Sequence, residues 1–329
     1  MYLKRCYSSC LAVLSLFLTA PVAHSQPAAY PVKPIKVVVP FLPGGTADTL
    51  MRLISAQASP LLGQPVVVEN RAGAGGNIGA HEVARAAADG YTLLFTPPGP
   101  LSINPYVFSD MPYDAETAFK PISIVAAMPS VLVVGPKVKA ATLQELVQQA
   151  RSNPGKMTYA SQGYGTTTQL LGALFSINVG IDLVHVPYKG APPILTDLRA
   201  GRVDMVFFDA ANALPHLAPN SPLRALAVTS EQRTAALPEV PTLHEAGIPD
   251  IFTTVWMGLV APANTPDTVV ETWQNVLAKV MQMPEIRQRW KDQGVEPLVS
   301  SPAEMQQTIQ RDSRLWGDVI RITGAAANR

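Results

Sequence analysis

Cysteine is nearly missing from this 329-residue chain, and its two copies, Cys6 and Cys10, both lie within the first ten residues. That segment reads as a removable export signal. Lys4 and Arg5 supply a positive start, LAVLSLFLTA (11–20) an apolar middle, and Ala23-His24-Ser25 small residues at the cleavage positions. The spacing predicts a signal peptide over residues 1–25, removed near Ser25. The apolar run is too short to span a bilayer. Cys10 precedes it rather than following it, which argues against a lipid anchor. A mature chain without cysteine has no disulfide, no thiolate zinc site and no cysteine nucleophile. Its length of about 304 residues is enough for more than one core.

An excess of either charge is missing too. Without Lys4 and Arg5, 23 basic residues face 24 acidic ones, so there is no basic field for nucleic acid or anionic lipid. No stretch of 18 apolar residues occurs, and the mature chain is expected to be soluble. Catalytic signatures are missing as well: there is no G-x-S-x-G elbow, S-x-x-K, H-E-x-x-H or Walker loop. His81, His185, His216 and His244 stand isolated and read as surface or core residues. Asp48, Asp197, Asp204 and Asp209 would make a carboxylate group only if the fold gathered them. RAGAGGNIGA (71–80) has the spacing Gly73-x-Gly75-x-x-x-Gly79 rather than that of a dinucleotide fingerprint. Asp89, the next acid with any claim on a ribose, comes before the following strand. This stretch reads as a tight β–α turn beside a cleft. The chain is therefore not expected to be an enzyme, and no catalytic residue, metal set or cofactor is assigned. The 31 prolines are scattered, as in rigid loops.

What is present is a repeated corner. IKVVVP (35–40) reads as a strand and TLMRLISAQASPLL as a helix with Leu50, Leu53, Ile54 and Leu61 at helical spacing. Between them lie Pro43-Gly44-Gly45-Thr46-Ala47-Asp48. Glycines leave backbone N–H groups uncovered, and a helix N-terminus adds unpaired donors and a positive dipole end. Such a corner can receive an anion without a charged side chain. Asp48 reads as a cap or brace of its own loop. The pattern recurs as KMTYAS (156–161), then Gln162-Gly163-Tyr164-Gly165-Thr166-Thr167, then TQLLGALFSINV. Two such corners suggest two lobes facing one small anion.

Strands and helices alternate through the first half: IKVVVP, a helix to Leu62, PVVVEN (65–70), a helix over 78–88 and YTLLFT (91–96). That order predicts a mostly parallel sheet covered on both faces. PISIVAAMPSVLVVGP (121–136) has no helical period and reads as a crossing into a second lobe. Thr142 and Glu145 form a capping box for the next helix. MTYAS, a helix, IDLVHVPY (181–188), a helix near ILTDLRAG, VDMVFFD (203–209) and RALAVTS (224–230) follow. Asp209 ends its strand as a cleft candidate. Tyr188, Lys189 and Gly190 end another, where pocket wall and exposed turn are both open readings. WMGLVAP (256–262) reads as a strand returning to the first lobe. Two helices close the chain, one capped by Thr265 and one by the box of Ser301 and Glu304, with Met305, Ile309, Trp316 and Ile320 near one face.

Taken in order, YPVKPIKVVVPFLPGGTAD, VVVENRAGAGGNIGA, ADGYTLLF, YASQGYGTTTQLLGALF, VHVPYKGAPPILTDLRAGRVDMVF, RALAVTS, LPEVPTLHEAGIPD and WMGLVAP resemble the periplasmic solute-binding proteins of the tripartite tricarboxylate transporter class, the Bug family. The resemblance covers nearly the whole mature chain. It implies a type II-like, two-lobed periplasmic binding protein of α/β class. Each lobe would be a mixed sheet flanked by helices, with the ligand cleft between. Lobe one would hold residues 26–125 and 250–329, and lobe two residues 126–249. It further implies periplasmic location, a monomer, a small mono-, di- or tricarboxylate ligand and delivery to integral-membrane permease subunits. A ligand-sensing subunit for a membrane signalling protein would need the same cleft. The family's ligand loops fall here on residues 41–48 and 161–167. Residues 96–102 form a further wall, where prolines depart from the family's small polar residues, and Leu42 stands where proline or alanine is commoner. The candidate ligand-binding residues are Phe41, Gly44, Gly45, Thr46, Asp48, Ser102, Ser161, Gly165, Thr166, Thr167, Tyr188, Gly190 and Asp209.

Overall fold

The structure, a computed structural model, describes residues 30–248, 251 and 253–325. The expected signal peptide and its cleavage point, and residues 249 and 250 at the expected second lobe boundary, lie outside the described residues.

The chain runs β1 (Ile35–Val39), α1 (Thr46–Leu62), β2 (Val66–Asn70), α2 (Asn77–Ala84) and β3 (Thr92–Thr96). A wide helical turn, Gly99–Ile103, leads into α3 (Asn104–Val107) and then β4 (Phe119–Val134). The sequence continues through α4 (Leu143–Ser152), β5 (Met157–Ser161), α5 (Thr167–Val179), β6 (Leu183–Pro187), α6 (Ala191–Arg199), β7 (Met205–Asp209), α7 (Ala210–Ala213) and β8 (Arg224–Val228). It closes with β9 (Thr254–Pro262), α8 (Asp267–Gln282), α9 (Pro284–Asp292), β10 (Glu296–Pro297) and α10 (Pro302–Thr323).

β1 is parallel to β2 and β3, and its residues Val37, Val38 and Val39 are fully buried, as expected of a strand covered on both faces. β5 is likewise parallel to β6 and β7. The long strand β4 joins the two sheets. Residues 119–129 pair antiparallel with β9, and residues 130–134 pair antiparallel with β7 and β8. The change of partners falls between Pro129 and Ser130; proline cannot donate to a ladder and so suits a break in pairing. The result is a two-lobed α/β fold of mixed sheets flanked by helices. The first lobe carries β1, β2, β3 and β9, the second β5, β6, β7 and β8.

α10 straddles both. Met305 and Ile309 pack with Val38, Leu94 and Trp256 of the first lobe. Trp316, Val319 and Ile320 pack with Leu132, Phe175 and Phe207 of the second. Trp256 Nε1 donates to Asp312 Oδ2 at 2.7 Å between the two groups.

Several local expectations change. Ser301 and Glu304 make a complete capping box. At Thr142 the hydroxyl accepts the Glu145 N–H, but the Glu145 carboxylate reaches the Ala141 N–H instead of closing the box. Thr265 does not cap α8, because the helix starts two residues later behind Pro266 and leaves the Thr265 hydroxyl buried without a partner among the described residues. α2 ends at Ala84, short of the predicted 88. The C-terminal region has a third helix, α9, set apart from α8 by the extended Met283 ahead of Pro284.

Candidate functional site

The loops leaving the carboxyl ends of β1, β3, β5, β6 and β7 converge on one cleft, the usual ligand position in open α/β sheets. Its walls are Phe41, Leu42, Gly45, Thr46 and Ala47 from the first corner, Pro97 and Gly99 after β3, and Gln162, Thr166, Thr167 and Thr168 from the second corner. Gly190, Ala191, Asp209 and Asn212 complete the second-lobe side, and Val255 and Met257 of β9 form an apolar floor. The enclosed space is about 40 Å³, room for no more than a few waters.

The first corner is held from behind. Asp48 Oδ2 accepts the Gly44 N–H at 2.9 Å, and Asp48 Oδ1 accepts Arg52 Nε at 2.9 Å. Arg52 donates on to Asn70 Oδ1, and Asn70 Nδ2 donates to the Phe41 carbonyl. Burial pushes the Asp48 carboxyl up, but the bonds from Arg52 and the Gly44 N–H outweigh it and hold it below the usual carboxylate range. Gly44 adopts φ +84°, a left-handed conformation that favours glycine. Gly45 has φ −84° and flanks the helix without a side-chain cap. A Cβ there would meet only the Leu42 carbonyl, at 3.8 Å, and otherwise open space. The first N–H groups of α1, from Thr46 and Ala47, have no acceptor within the helix.

The second corner is bonded to itself. The Thr166 hydroxyl donates to the Gly163 carbonyl at 2.6 Å and accepts the Gln169 N–H of α5. Thr168 Oγ1 lies 3.0 Å from Thr166 Oγ1 and accepts the Gln162 N–H at 2.9 Å. Gly165 N–H donates to Gln169 Oε1 at 2.8 Å.

A side-chain hydrogen bond crosses the cleft. The Thr46 hydroxyl, at the start of α1, donates to Asp209 Oδ1 at 2.5 Å. Asp209, at the end of β7, also accepts the Asn212 N–H and Asn212 Nδ2, each at 2.9 Å. Burial pushes the Asp209 carboxyl up; the Thr46 and Asn212 bonds oppose that and leave it above its ordinary value. The lobes also touch through backbone. A Cβ on Gly99 would sit 2.8 Å from the Gly165 carbonyl, and one on Gly75 2.3 Å from the Tyr164 carbonyl.

Of the residues expected at the site, Phe41, Gly45, Thr46, Thr166, Thr167, Gly190 and Asp209 line the cleft. Gly44 and Asp48 stand behind it. Ser102 is buried with its hydroxyl unpartnered among the described residues and is not one of the cleft walls. Ser161 and Gly165 lie under the second corner, where their bonds shape the loop. Tyr188 and Lys189 border an outer depression of about 230 Å³ with Gly73–Gly76 and Tyr164, and the Tyr188 hydroxyl donates to Asp197 at 2.8 Å. RAGAGGNIGA thus forms a tight turn beside the cleft. Thr168, Asn212, Val255 and Met257 went unnamed in the sequence reading. Asn212 carries a local signal, three residues after Asp209 at capping distance. The floor residues carry none, because only the return of β9 brings them there. Among the described residues no group of three His, Cys, Asp or Glu could hold a metal ion.

This cleft between two lobes, walled by two helix N-termini, is the geometry of a solute-binding receptor. A family model described as the tripartite tricarboxylate transporter family receptor, TctC, matches residues 50–325. The chain belongs to that family. The receptor is 35% identical over 318 residues to protein BugT of Bordetella pertussis, a match covering 96% of this chain and 97% of BugT. Its fold is similar to that of R. palustris Rpa4515, solved with adipate, at 34% identity and a TM-score of 0.87, covering 90% of this chain and 98% of that one. It is similar also to MatC from Rhodopseudomonas palustris, solved with bound malate, at 31% identity and a TM-score of 0.84, covering 88% and 100%. Family and fold place the receptor in the periplasm.

Proposed function

We propose that this receptor captures a small organic carboxylate in the periplasm and hands it to the integral-membrane permease subunits of a tripartite transporter. The observation that carries this reading is the chemistry of the cleft. Two helix N-termini, of α1 and α5, meet there from opposite lobes, and none of the lining residues is Lys, Arg or His. Uncovered N–H groups, the Thr167 hydroxyl and the Gln162 side-chain amide form a donor set suited to an anion of low charge. The adipate and malate found with two relatives support a carboxylate, with Gly45, Thr46, Thr166 and Thr167 as first contacts.

We also propose lobe limits of 26–125 with 250–329, and 126–249. The change of partners along β4, between Pro129 and Ser130, falls four residues past the first boundary. The packing of Trp316, Val319 and Ile320 against the second-lobe core makes the end of α10 a strap between lobes.

A thermal-shift screen tests the reading, since a ligand that binds only the native state raises the melting temperature by mass action. Mono-, di- and tricarboxylates should stabilise the receptor and neutral sugars should not. The reverse pattern would overturn it.

A further inference from the structure

His185 stands outside the cleft lining, yet a chain of hydrogen bonds leads from it to the cleft. It lies on β6 opposite Tyr159 of β5 in the parallel register. Its ring stacks on Tyr159 at 4.8 Å and meets Tyr164 edge-on at 5.2 Å. Side chains two apart on a strand share a face, so Ser161 projects on the same side as Tyr159. His185 Nε2 and Ser161 Oγ are 2.6 Å apart. Ser161 Oγ accepts the Gly163 N–H at 3.1 Å, so its own proton is free to go elsewhere. The Gly163 carbonyl is 3.2 Å away, and the closer ring nitrogen is the better acceptor. The Gly163 carbonyl in turn takes the Thr166 hydroxyl, which contacts Thr168 Oγ1, which holds the Gln162 N–H. Gln162, Thr166 and Thr168 are all cleft walls.

We propose that His185 is a positioning residue for the second corner: its ring nitrogen fixes the Ser161 hydroxyl and, through Gly163, the loop that presents Gln162, Thr166 and Thr168 to the ligand. The inference rests on the binding role proposed above for that corner. Burial supports it by holding the His185 pKa at about 4, so that the ring is neutral near pH 7 and, with its proton on Nδ1, accepts the Ser161 hydroxyl at Nε2. A residue that merely filled space between two tyrosines would be replaced by another ring without consequence for the loop.

The test uses His185→Phe, which keeps a ring between the tyrosines, His185→Gln, whose amide can reach Ser161, and Ser161→Ala, which leaves the ring in place. Hydrogen exchange of residues 161–168 is read in the ligand-free full-length protein, and affinity is read with adipate and malate. Exchange across 161–168 should rise in His185→Phe and in Ser161→Ala and return toward wild type in His185→Gln. Affinity should fall about 10-fold in His185→Phe, the equivalent of one lost hydrogen bond. His185→Gln should recover it, and the double variant His185→Phe/Ser161→Ala should be no worse than either single one. Wild-type exchange in His185→Phe, or additive losses in the double variant, would overturn the inference. If the wild type bound neither acid, the proposed function would lose its support for that ligand class. The exchange pattern, which needs no ligand, would still decide the role of His185. Should His185→Phe fail to fold, Ser161→Ala and His185→Gln carry the same comparison.

Discussion

Replacing Thr46 with valine exchanges its hydroxyl for a methyl group, which removes a hydrogen-bond donor from the cleft at almost unchanged volume. The Thr46 hydroxyl is the side-chain donor that reaches Asp209 from the opposite lobe, at 2.5 Å. Asp209 is buried, and in Thr46→Val it would keep only the two donors of Asn212. A hydrogen bond to a charged group contributes about 1.5–3 kcal/mol. The bond exists only while the lobes are together, so its loss acts on the closed state alone. The open–closed equilibrium should then move toward open by about 10- to 150-fold. Inter-lobe distances from spin labels in the ligand-free protein should lengthen in Thr46→Val, and small-angle scattering should show a larger radius of gyration. Saturating ligand should restore the compact form at a cost in affinity of the same order. If the empty variant is as compact as the wild type and binds equally well, the bond is not what holds the lobes together.

The corner glycines should separate into two classes. Gly44→Ala is expected to cost about 1 kcal/mol of stability because of its φ of +84°, read by chemical denaturation. Gly45→Val should fold normally but lose at least ~10-fold in affinity by calorimetry, since its side chain would enter the cleft. The two carboxylates should respond oppositely to acid. Asp48, held low, contributes stability above its unfolded value that is lost as pH falls through its folded one; Asp209, held high, costs stability above its folded value, and the cost is relieved as pH falls through it. Comparing melting temperature against pH for Asp48→Asn and Asp209→Asn with wild type should show slopes removed in opposite senses. N-terminal sequencing of exported protein should find a start at about Gln26.

Both corners, most strands and the long crossing could be read from the chain because each rests on local signals: β-branched runs, glycine pairs and helix periodicity. What could not be read depends on contacts between distant segments. The Thr46–Asp209 bond joins residues 163 positions apart, and nothing near either one announces it. Ser161 and His185 meet only because β5 and β6 pair in one register. Gly165 and Ser102 looked like cleft residues because their loops are cleft loops, but a loop of five or six residues has an inner and an outer side that sequence does not label. Helix α9 was not among the two closing helices read from the sequence, because a single extended residue, Met283, separates it from α8.

Closure itself can be tested where the lobes meet backbone to backbone. Gly99 lies at the head of the helical turn after β3, and its φ is not among the positive ones, so alanine suits its conformation. The obstacle is steric and comes from the other lobe: the added Cβ would stand 2.8 Å from the Gly165 carbonyl. Gly165 is the poorer test, since its φ of +74° would mix backbone strain with the clash. Overpacking of this kind costs about 1–3 kcal/mol, and here the cost should fall on the closed arrangement alone. Gly99→Ala should therefore leave the far-ultraviolet spectrum and thermal stability of the open protein intact, weaken ligand binding by about 5- to 150-fold, and blunt the compaction seen on ligand addition. A Gly99→Ala receptor that binds and compacts like wild type would mean that the lobes do not approach here when ligand is held. The cleft would then close about the ligand by a different rotation, with the Gly99–Gly165 contact belonging to the empty protein alone.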